Sequence, residues 1–278
     1  MSIDNLDALI STALAEDIGL GDRTSEALLS DEQGAGALLS KSSGVLCGMD
    51  VARRVFAAVD PALEFEALKT DGEALEGNRE LIGRICGSLK SILIAERTAL
   101  NFLQRMSGVA SLTWQFVSAI EGTGARVVDT RKTIPGLRAL DKYAVRTGGG
   151  LNHRFGLFDG ILIKDNHIAA VGSITDAVNT ARINAPHTLR IEIEAKEMWQ
   201  VDEAMAAGAD IILLDNMACD TMRDAVRRVD GRALLEASGG VNLDTIRAIA
   251  QTGVDLISVG ALTHSAVALD ISLDIETV

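Results

Sequence analysis

IEIEAKEMWQVDEAMAAGADIILLDN, residues 191–216, is the stretch from which the fold is read. Its ends are two short apolar runs, Ile191-Glu192-Ile193-Glu194 and Ile211-Ile212-Leu213-Leu214-Asp215, each closing on an acid. Between them the apolar residues of Met198–Ala207 recur at helical spacing. A strand, a helix and a second strand at this spacing form a βαβ unit, and its two strands run parallel in one sheet. Working outward, the same texture recurs at Val127-Val128-Asp129, Ile161-Leu162-Ile163-Lys164, Leu234-Leu235-Glu236 and Leu256–Gly260. The last-named residues of the six runs follow one another at intervals of 35, 30, 21, 21 and 24. Helical patterns fill the gaps at Ile174–Ile183, Cys219–Val229 and Leu243–Gln251.

The run of units is shorter than the ~250 residues of a full eight-unit barrel, so the spacing predicts a reduced or irregular α/β barrel. In such barrels chemistry sits at the C-terminal ends of the strands. Five of the six ends here are ionisable: Asp129, Lys164, Glu194, Asp215 and Glu236. Glu192 and Glu194 share one strand face by the period of two, so one is expected to be an ion-pair partner and Glu194 the ligand.

The N-terminal third reads differently. Residues 1–15 have helical spacing, and the glycine-bearing loop EDIGLGDRTS follows, with Asp17 and Asp22 as turn and cap residues. β-like runs at Gly36–Ser40, Gly44–Cys47, Leu63–Leu68 and Leu81–Ile85 surround a helix at Met49–Val59. Ser88 is the expected N-cap of a long helix to about Met106. The expected organisation is an α+β sandwich-like domain over 1–108, with the tail 266–278 packing back on it, and an α/β barrel over 109–265.

With 278 residues, 47% of them apolar and 23% charged, the chain can bury a real core without staples. Its net charge of −13 argues against a general nucleic-acid binder. The most apolar long stretch, Ile92–Met106, is broken by Glu96, Arg97 and Arg105, which argues against a membrane span. The acidic start MSIDNLDALI lacks the basic region of a signal peptide. Cys47, Cys86 and Cys219 have no CxxC pairing and read as reduced thiols of a cytoplasmic protein. Against this acidic background residues 126–164 carry a charge of +5, with eight Lys/Arg and three Asp. Such an island, holding Gly148-Gly149-Gly150 and His153, suggests a focused anion site. A solvated basic loop is the alternative, and a lysine such as Lys164 at a strand end can also simply snorkel.

The segment DTRKTIPGLRALDKYAVRTGGGLNHRFGLFDGILIKDNH, residues 129–167, resembles the quinolinate phosphoribosyltransferase family. The resemblance extends in order through AEDIGLGDRTS (15–25), AERTALNFLQRMSG (95–108), IEIE (191–194), LLDN (213–216), EASGGV (236–241) and GVDLISVGALTHS (253–265), essentially the whole chain. It implies transfer of phosphoribosyl from phosphoribosyl pyrophosphate to quinolinate with loss of CO2, with Mg²⁺ as cofactor. It implies carboxylate clamps from Arg131, Lys132, His153, Arg154 and Lys164, with Arg97 added from the partner subunit of a homodimer. It implies that Glu194 and Asp215 lie near the ribose and metal, and that Lys132, Lys164, Glu194 and Asp215 carry the chemistry. Ser238, Gly239 and Gly240, then Gly260 and Ala261, are expected before helices whose N–H groups hold the 5′-phosphate, with His264 close by. On its own Arg97 shares a helix stripe with Lys90 and Gln104 and reads as a solvated face. His187 is an ordinary loop residue. The alternatives are a related phosphoribosyltransferase with another acceptor and a non-catalytic phosphate or nucleotide sensor. A sensor has no need of Lys132, Lys164, Glu194 and Asp215 together.

Overall fold

The structure, a computed structural model, describes residues 5–276. They fall into two compact units. One contains the chain up to Trp114, Ile134–Gly149 and the chain from Ser265; the other contains Gln115–Thr133 and Gly150–His264.

The first unit opens with α1 (Leu6–Ile18) and α2 (Arg23–Leu28). The first four residues of the helix expected over 1–15 lie outside the described residues. Asp22 caps α2, accepting the N–H groups of Thr24 and Ser25 at 3.0 and 3.1 Å. There follow β1 (Gln33–Ser40), β2 (Gly44–Val45), α3 (Met49–Val59), β3 (Glu64–Ala67), β4 (Ala74–Leu75), β5 (Glu80–Ser88) and α4 (Leu89–Ala119). The chain then leaves for the second unit at β6 (Arg126–Val128) and returns for α5 (Arg138–Thr147).

The second unit continues with β7 (Ile161–Ile163), α6 (Asp165–Val171), α7 (Ile174–Asn184), β8 (Ile191–Ala195), α8 (Met198–Ala206), β9 (Ile211–Asp215), α9 (Cys219–Val229), β10 (Leu234–Ser238), α10 (Ile246–Ala250), β11 (Leu256–Ser258) and α11 (Ala261–His264). β12 (Ile271–Glu276) belongs again to the first unit.

The first unit's main sheet has the order β12-β1-β5-β3. β12 pairs antiparallel with β1 from Ser40↔Ile271 to Ala35↔Glu276; residues 277–278 of the tail lie outside the described residues. α3 buries Val51, Ala52, Val55 and Phe56, and the Phe56 ring meets Phe65 of β3 at 5.9 Å between centroids. Burying a Phe of this kind contributes about 1.5–3 kcal/mol.

Ser88 accepts the Ser91 N–H at 3.3 Å at the start of α4. The helix runs on to Ala119 rather than ending near Met106. Gly108 within it is a packing residue, because a Cβ there would strike the carbonyl of Val267. The sequence boundary at 108/109 therefore falls inside a continuous helix, and the compact units part at 114/115.

Return of residues 134–149 to the first unit is fixed by two polar links, one buried and one half-buried. Arg105 of α4 grips Asp141 of α5 through Nε and Nη2, at 3.0–3.2 Å, with Asp141 almost wholly buried. The Tyr143 hydroxyl donates to Asp71 at 2.9 Å, and the other Asp71 oxygen accepts the N–H groups of Gly48 and Met49. Gly148 serves this packing too, since a Cβ there would collide with the Ala110 carbonyl of α4. The basic island is thus divided by the fold. Arg138, Lys142 and Arg146 stand on α5 in the first unit, while Arg131, Lys132, Arg154 and Lys164 belong to the second.

The second unit is a six-stranded parallel sheet in the order β6-β11-β10-β9-β8-β7, with a further bridge from Val128 to Leu151 beside β6. β6 and β7 end the ladder with no pairing between them among the described residues, and its six parallel strands are fewer than the eight of a full α/β barrel. α8 and α9 end where the spacing put them, to within a residue. α10 is shorter than expected, starting at Ile246 rather than Leu243. Among the described residues no helix is long and apolar enough to cross a membrane. Cys47, Cys86 and Cys219 are unbridged.

Candidate active site

Alternation along the parallel strands builds the site. On β8 the residues Ile191, Ile193 and Ala195 are buried on one face, and Glu192 and Glu194 take the other. The same period puts Leu213 and Asp215 of β9, and Glu236 and Ser238 of β10, on matching faces. The ladder aligns Asp215 with Ser238 and Glu194 with Leu213. Together with Thr130, Arg131, Lys132, His153, Arg154, Leu162, Lys164, Asn216, Gly239, Gly240 and Ser258 they line a cleft of about 520 Å³. Every lining residue belongs to the second unit.

The cations come from the loops that follow β6 and β7 and from the segment that leads into β7. Lys132 lies in a turn held by Thr130, whose Oγ1 accepts the Lys132 N–H at 3.0 Å. The Thr263 hydroxyl fastens the same turn by donating to the Lys132 carbonyl at 2.9 Å. Lys164 precedes α6, and its N–H donates to Nδ1 of His167 at 2.9 Å. The Lys164 Nζ lies 3.3 Å from Glu194 Oε2, and Lys196 Nζ lies 3.9 Å from the other Glu194 oxygen. Arg154 donates to the Gly160 carbonyl at 3.0 Å. Burial, and secondly the like charge of Arg131, hold the Arg154 guanidinium below its ordinary pKa. The Nε atoms of Arg131 and Arg154 are both buried without a hydrogen-bond partner. Two adjacent guanidiniums with donors to spare are a receptor for an anion, and their planar forks match carboxylate and phosphate.

On the acidic side, Asp215 Oδ1 accepts from the Asn216 side-chain amide at 2.9 Å. Asn216 sits in the left-handed region with φ 54°, and its N–H donates to the Ser238 carbonyl at 2.9 Å. Its side chain packs where a Cβ on Gly239 would be, so glycine is required at 239, where φ is also positive at 93°.

Glu194 and Asp215 are hard oxygen donors on neighbouring strand ends, facing a cleft with room for water and phosphate. That donor set fits Mg²⁺, which takes one or two carboxylates and completes its shell with waters and substrate oxygens. His153, Glu192 and Glu236 also bring ligand atoms within 4.8 Å of one another. Their burial and the imidazole suit Mg²⁺ poorly.

Of the residues singled out from sequence, Arg131, Lys132, His153, Arg154, Lys164, Glu194, Asp215, Ser238, Gly239 and Gly240 meet in the cleft. Gly260 and His264 stand beside it: a Cβ on Gly260 would come within 3.1 Å of the Lys132 side chain and 3.2 Å of the His264 ring. Ala261 opens α11. Gly239 and Gly240 do not lead straight into a helix, because α10 starts only at Ile246. Arg97 lies on α4 in the first unit, exposed, 3.7 Å from Glu96, and does not line the cleft. Thr130, Leu162, Leu213, Asn216, Glu236 and Ser258 were not among the expected site residues. The period of two finds three of them, since 162, 213 and 236 each precede a site residue by two, and Thr130 adjoins Arg131.

A family model described as the quinolinate phosphoribosyl transferase N-terminal domain matches residues 22–107, and one described as its C-terminal domain matches residues 109–274. The chain is 45% identical over 273 residues to the probable nicotinate-nucleotide pyrophosphorylase (carboxylating) of Synechocystis sp., covering 97% of this chain and 92% of the relative. It is also 45% identical over 273 residues to the nicotinate-nucleotide pyrophosphorylase (carboxylating) of Mycobacterium leprae, covering 96% and 95%. The solved structure of the nicotinate-nucleotide pyrophosphorylase from Francisella tularensis superposes with a TM-score of 0.96 at 40% identity, covering 99% of this chain and 98% of that one.

Proposed function

The chain belongs to the quinolinate phosphoribosyltransferase family, and from that premise we propose how its cleft performs the family's reaction. The reaction joins quinolinate to the ribose of phosphoribosyl pyrophosphate, releases pyrophosphate and CO2, and yields nicotinate mononucleotide for NAD synthesis. One observation carries the assignment of roles: Arg131, Lys132, Arg154 and Lys164 converge with Glu194 and Asp215 in a single cleft at the strand ends.

Quinolinate presents two carboxylates on one pyridine ring. The Arg131–Arg154 pair takes one of them through guanidinium forks, and Lys164 supports the other as a point charge. Leu162 and Leu213 give the ring an apolar wall. Lys132 faces the leaving pyrophosphate. Ser238, Gly239 and Gly240, with Gly260, Ala261 and His264 nearby, surround the 5′-phosphate. Glu194 and Asp215 would hold Mg²⁺, which when bound neutralises charge on the pyrophosphate.

As pyrophosphate departs, positive charge develops on the anomeric carbon, and the carboxylates of Glu194 and Asp215 stabilise it electrostatically. The pyridine nitrogen attacks that carbon. The resulting pyridinium accepts the electron pair of the adjacent C–CO2 bond, CO2 leaves, and the ring carbon takes up a proton. No covalent enzyme intermediate is involved, so no activated nucleophile is needed. Arg97, absent from its own cleft wall, is assigned to the cleft of the partner in a homodimer, with two shared sites related by symmetry.

The test is CO2 release by the purified protein given quinolinate, phosphoribosyl pyrophosphate and Mg²⁺. The expected result is one CO2 per nicotinate mononucleotide, lost when Mg²⁺ is chelated. Undiminished turnover without divalent cation removes Mg²⁺ from the account. Nucleotide formed without CO2 removes the acceptor assignment.

A further inference from the structure

At the cleft floor, Glu236 of β10, a lining residue, and Glu192 of β8 are almost wholly enclosed, at 1% and 4% exposure. Two buried carboxylates are costly unless they are paired and fully hydrogen-bonded. These are not: Oε1 of each has no hydrogen-bond partner. Burial, then the charge of Glu192, pushes the Glu236 carboxyl up to about 7. As a stabilising device the pair is a poor one. It has a clear geometric consequence instead.

Both carboxylates face His153. Its Nε2 is 2.9 Å from Glu192 Oε2 and 3.8 Å from Glu236 Oε1. Its Nδ1 accepts the backbone N–H of Arg154 at 2.7 Å. Accepting at Nδ1 assigns the neutral ring's proton to Nε2, where the Glu192 carboxylate receives it. The His153 backbone N–H is held in turn by buried Asp129, at 2.7 Å. Both ring nitrogens are therefore engaged with protein, and the ring links the buried carboxylates to the backbone of Arg154.

We propose that Glu192 and Glu236 are positioning residues of the acceptor site: acting through His153, they set the Arg154 guanidinium beside Arg131 for the acceptor's carboxylate. His153 is then a brace for Arg154. The proposal rests on the reading of the cleft as the dicarboxylate site.

The experiment compares Glu192→Leu, Glu192→Gln, Arg154→Ala and the double variant Glu192→Leu/Arg154→Ala in the full-length enzyme. Glu192→Leu should raise KM for quinolinate by roughly tenfold or more, with KM for phosphoribosyl pyrophosphate changed by less than about twofold and an undiminished melting temperature. Glu192→Gln keeps an oxygen for the Nε2–H and should bring KM for quinolinate back to within about threefold of wild type. In the Arg154→Ala background Glu192→Leu should add less than about twofold, because its route is already cut. If Glu192→Leu does not fold, Glu236→Leu on the neighbouring part of the sheet carries the same test with an expected rise of about threefold. An unchanged KM for quinolinate in the leucine variant overturns the proposal. So does an equal rise in both KM values with a lower melting temperature, or full additivity with Arg154→Ala. An Arg154→Ala enzyme with normal quinolinate KM defeats instead the underlying reading of the cleft.

Discussion

Replacing Glu236 by glutamine should make the protein more stable, increasingly so as pH rises through the window in which the wild-type carboxyl ionises. Glu236 is 1% exposed, and its carboxyl is raised from 4.5 to about 7, by burial first and then by the charge of Glu192; Asp129 acts in the same direction, His153 and Ser258 against it. A raised carboxyl means that the folded protein holds a proton the unfolded chain has lost. Between about pH 4.5 and 7 the folded state therefore binds more protons, and stability falls as pH rises through that window. Above it the cost of the ionised, buried carboxylate is complete. A displacement from 4.5 to about 7 corresponds to about 3 kcal/mol. Glutamine has the shape of the protonated acid but cannot ionise. The variant should lead wild type by less than about 1 kcal/mol at pH 5 and by about 3 kcal/mol at pH 8, or roughly 6–12 °C in Tm at the higher pH. Thermal melts of both proteins at half-unit steps from pH 5 to 8.5 read this directly. Parallel Tm curves across the range, or a glutamine variant that loses ground as pH rises, would refute the reasoning.

Lys164→Ala should lower kcat/KM for quinolinate by about 30-fold or more, since an unpaired substrate carboxylate in a desolvated site costs about 2–5 kcal/mol. Its Tm should stay near wild type, because the Lys164–Glu194 pair is half exposed on the lysine side and such pairs add at most about 1 kcal/mol. Arg105→Ala should do the reverse of this selectivity, destabilising the fold by about 3–5 kcal/mol by leaving Asp141 buried and unpaired, as a lowered Tm will show. Arg97→Ala and Lys164→Ala enzymes, each nearly inactive, should regain roughly a quarter of wild-type activity after co-refolding, because half the dimers are mixed and each mixed dimer has one intact site. No regain, with mixed dimers confirmed by native mass spectrometry, places Arg97 outside the partner's cleft.

The parallel sheet was legible because each βα unit is local: one apolar run, one amphipathic helix, one polar strand end. Cys219–Val229 and Met49–Val59 are helices over the residues their spacing indicates. What sequence left obscure depends on contacts between distant residues. The helix expected to end near Met106 continues through Gly108 to Ala119, and glycine stands there because the chain at Val267 needs the space. Residues 134–149 return to the first unit through Asp141 with Arg105 and Tyr143 with Asp71, and neither link has a local signature. The triple glycine looked like a place for a ligand, but Gly148 makes room for the backbone of α4.

The site was legible to the same degree. Strand-end acids and cations follow from the fold class and the periodicity. Glu236 was visible as a strand end, but its placement under His153 is not, because the pairing of β10 with β8 through β9 must be known first. For His153 the neighbourhood was evident and the bonding was not. A basic loop suggests a substrate ligand, whereas the geometry commits both ring nitrogens to the protein.

The central claim is that the cleft recognises two carboxylates on one pyridine ring, and the most direct measurement is kcat/KM for quinolinate against nicotinate at saturating phosphoribosyl pyrophosphate. Nicotinate lacks the carboxylate that is lost as CO2 and leaves one cationic clamp unpaired. That deficit is about 2–5 kcal/mol, so quinolinate should be preferred by about 30-fold or more. Comparable efficiency for the two acceptors would contradict the account.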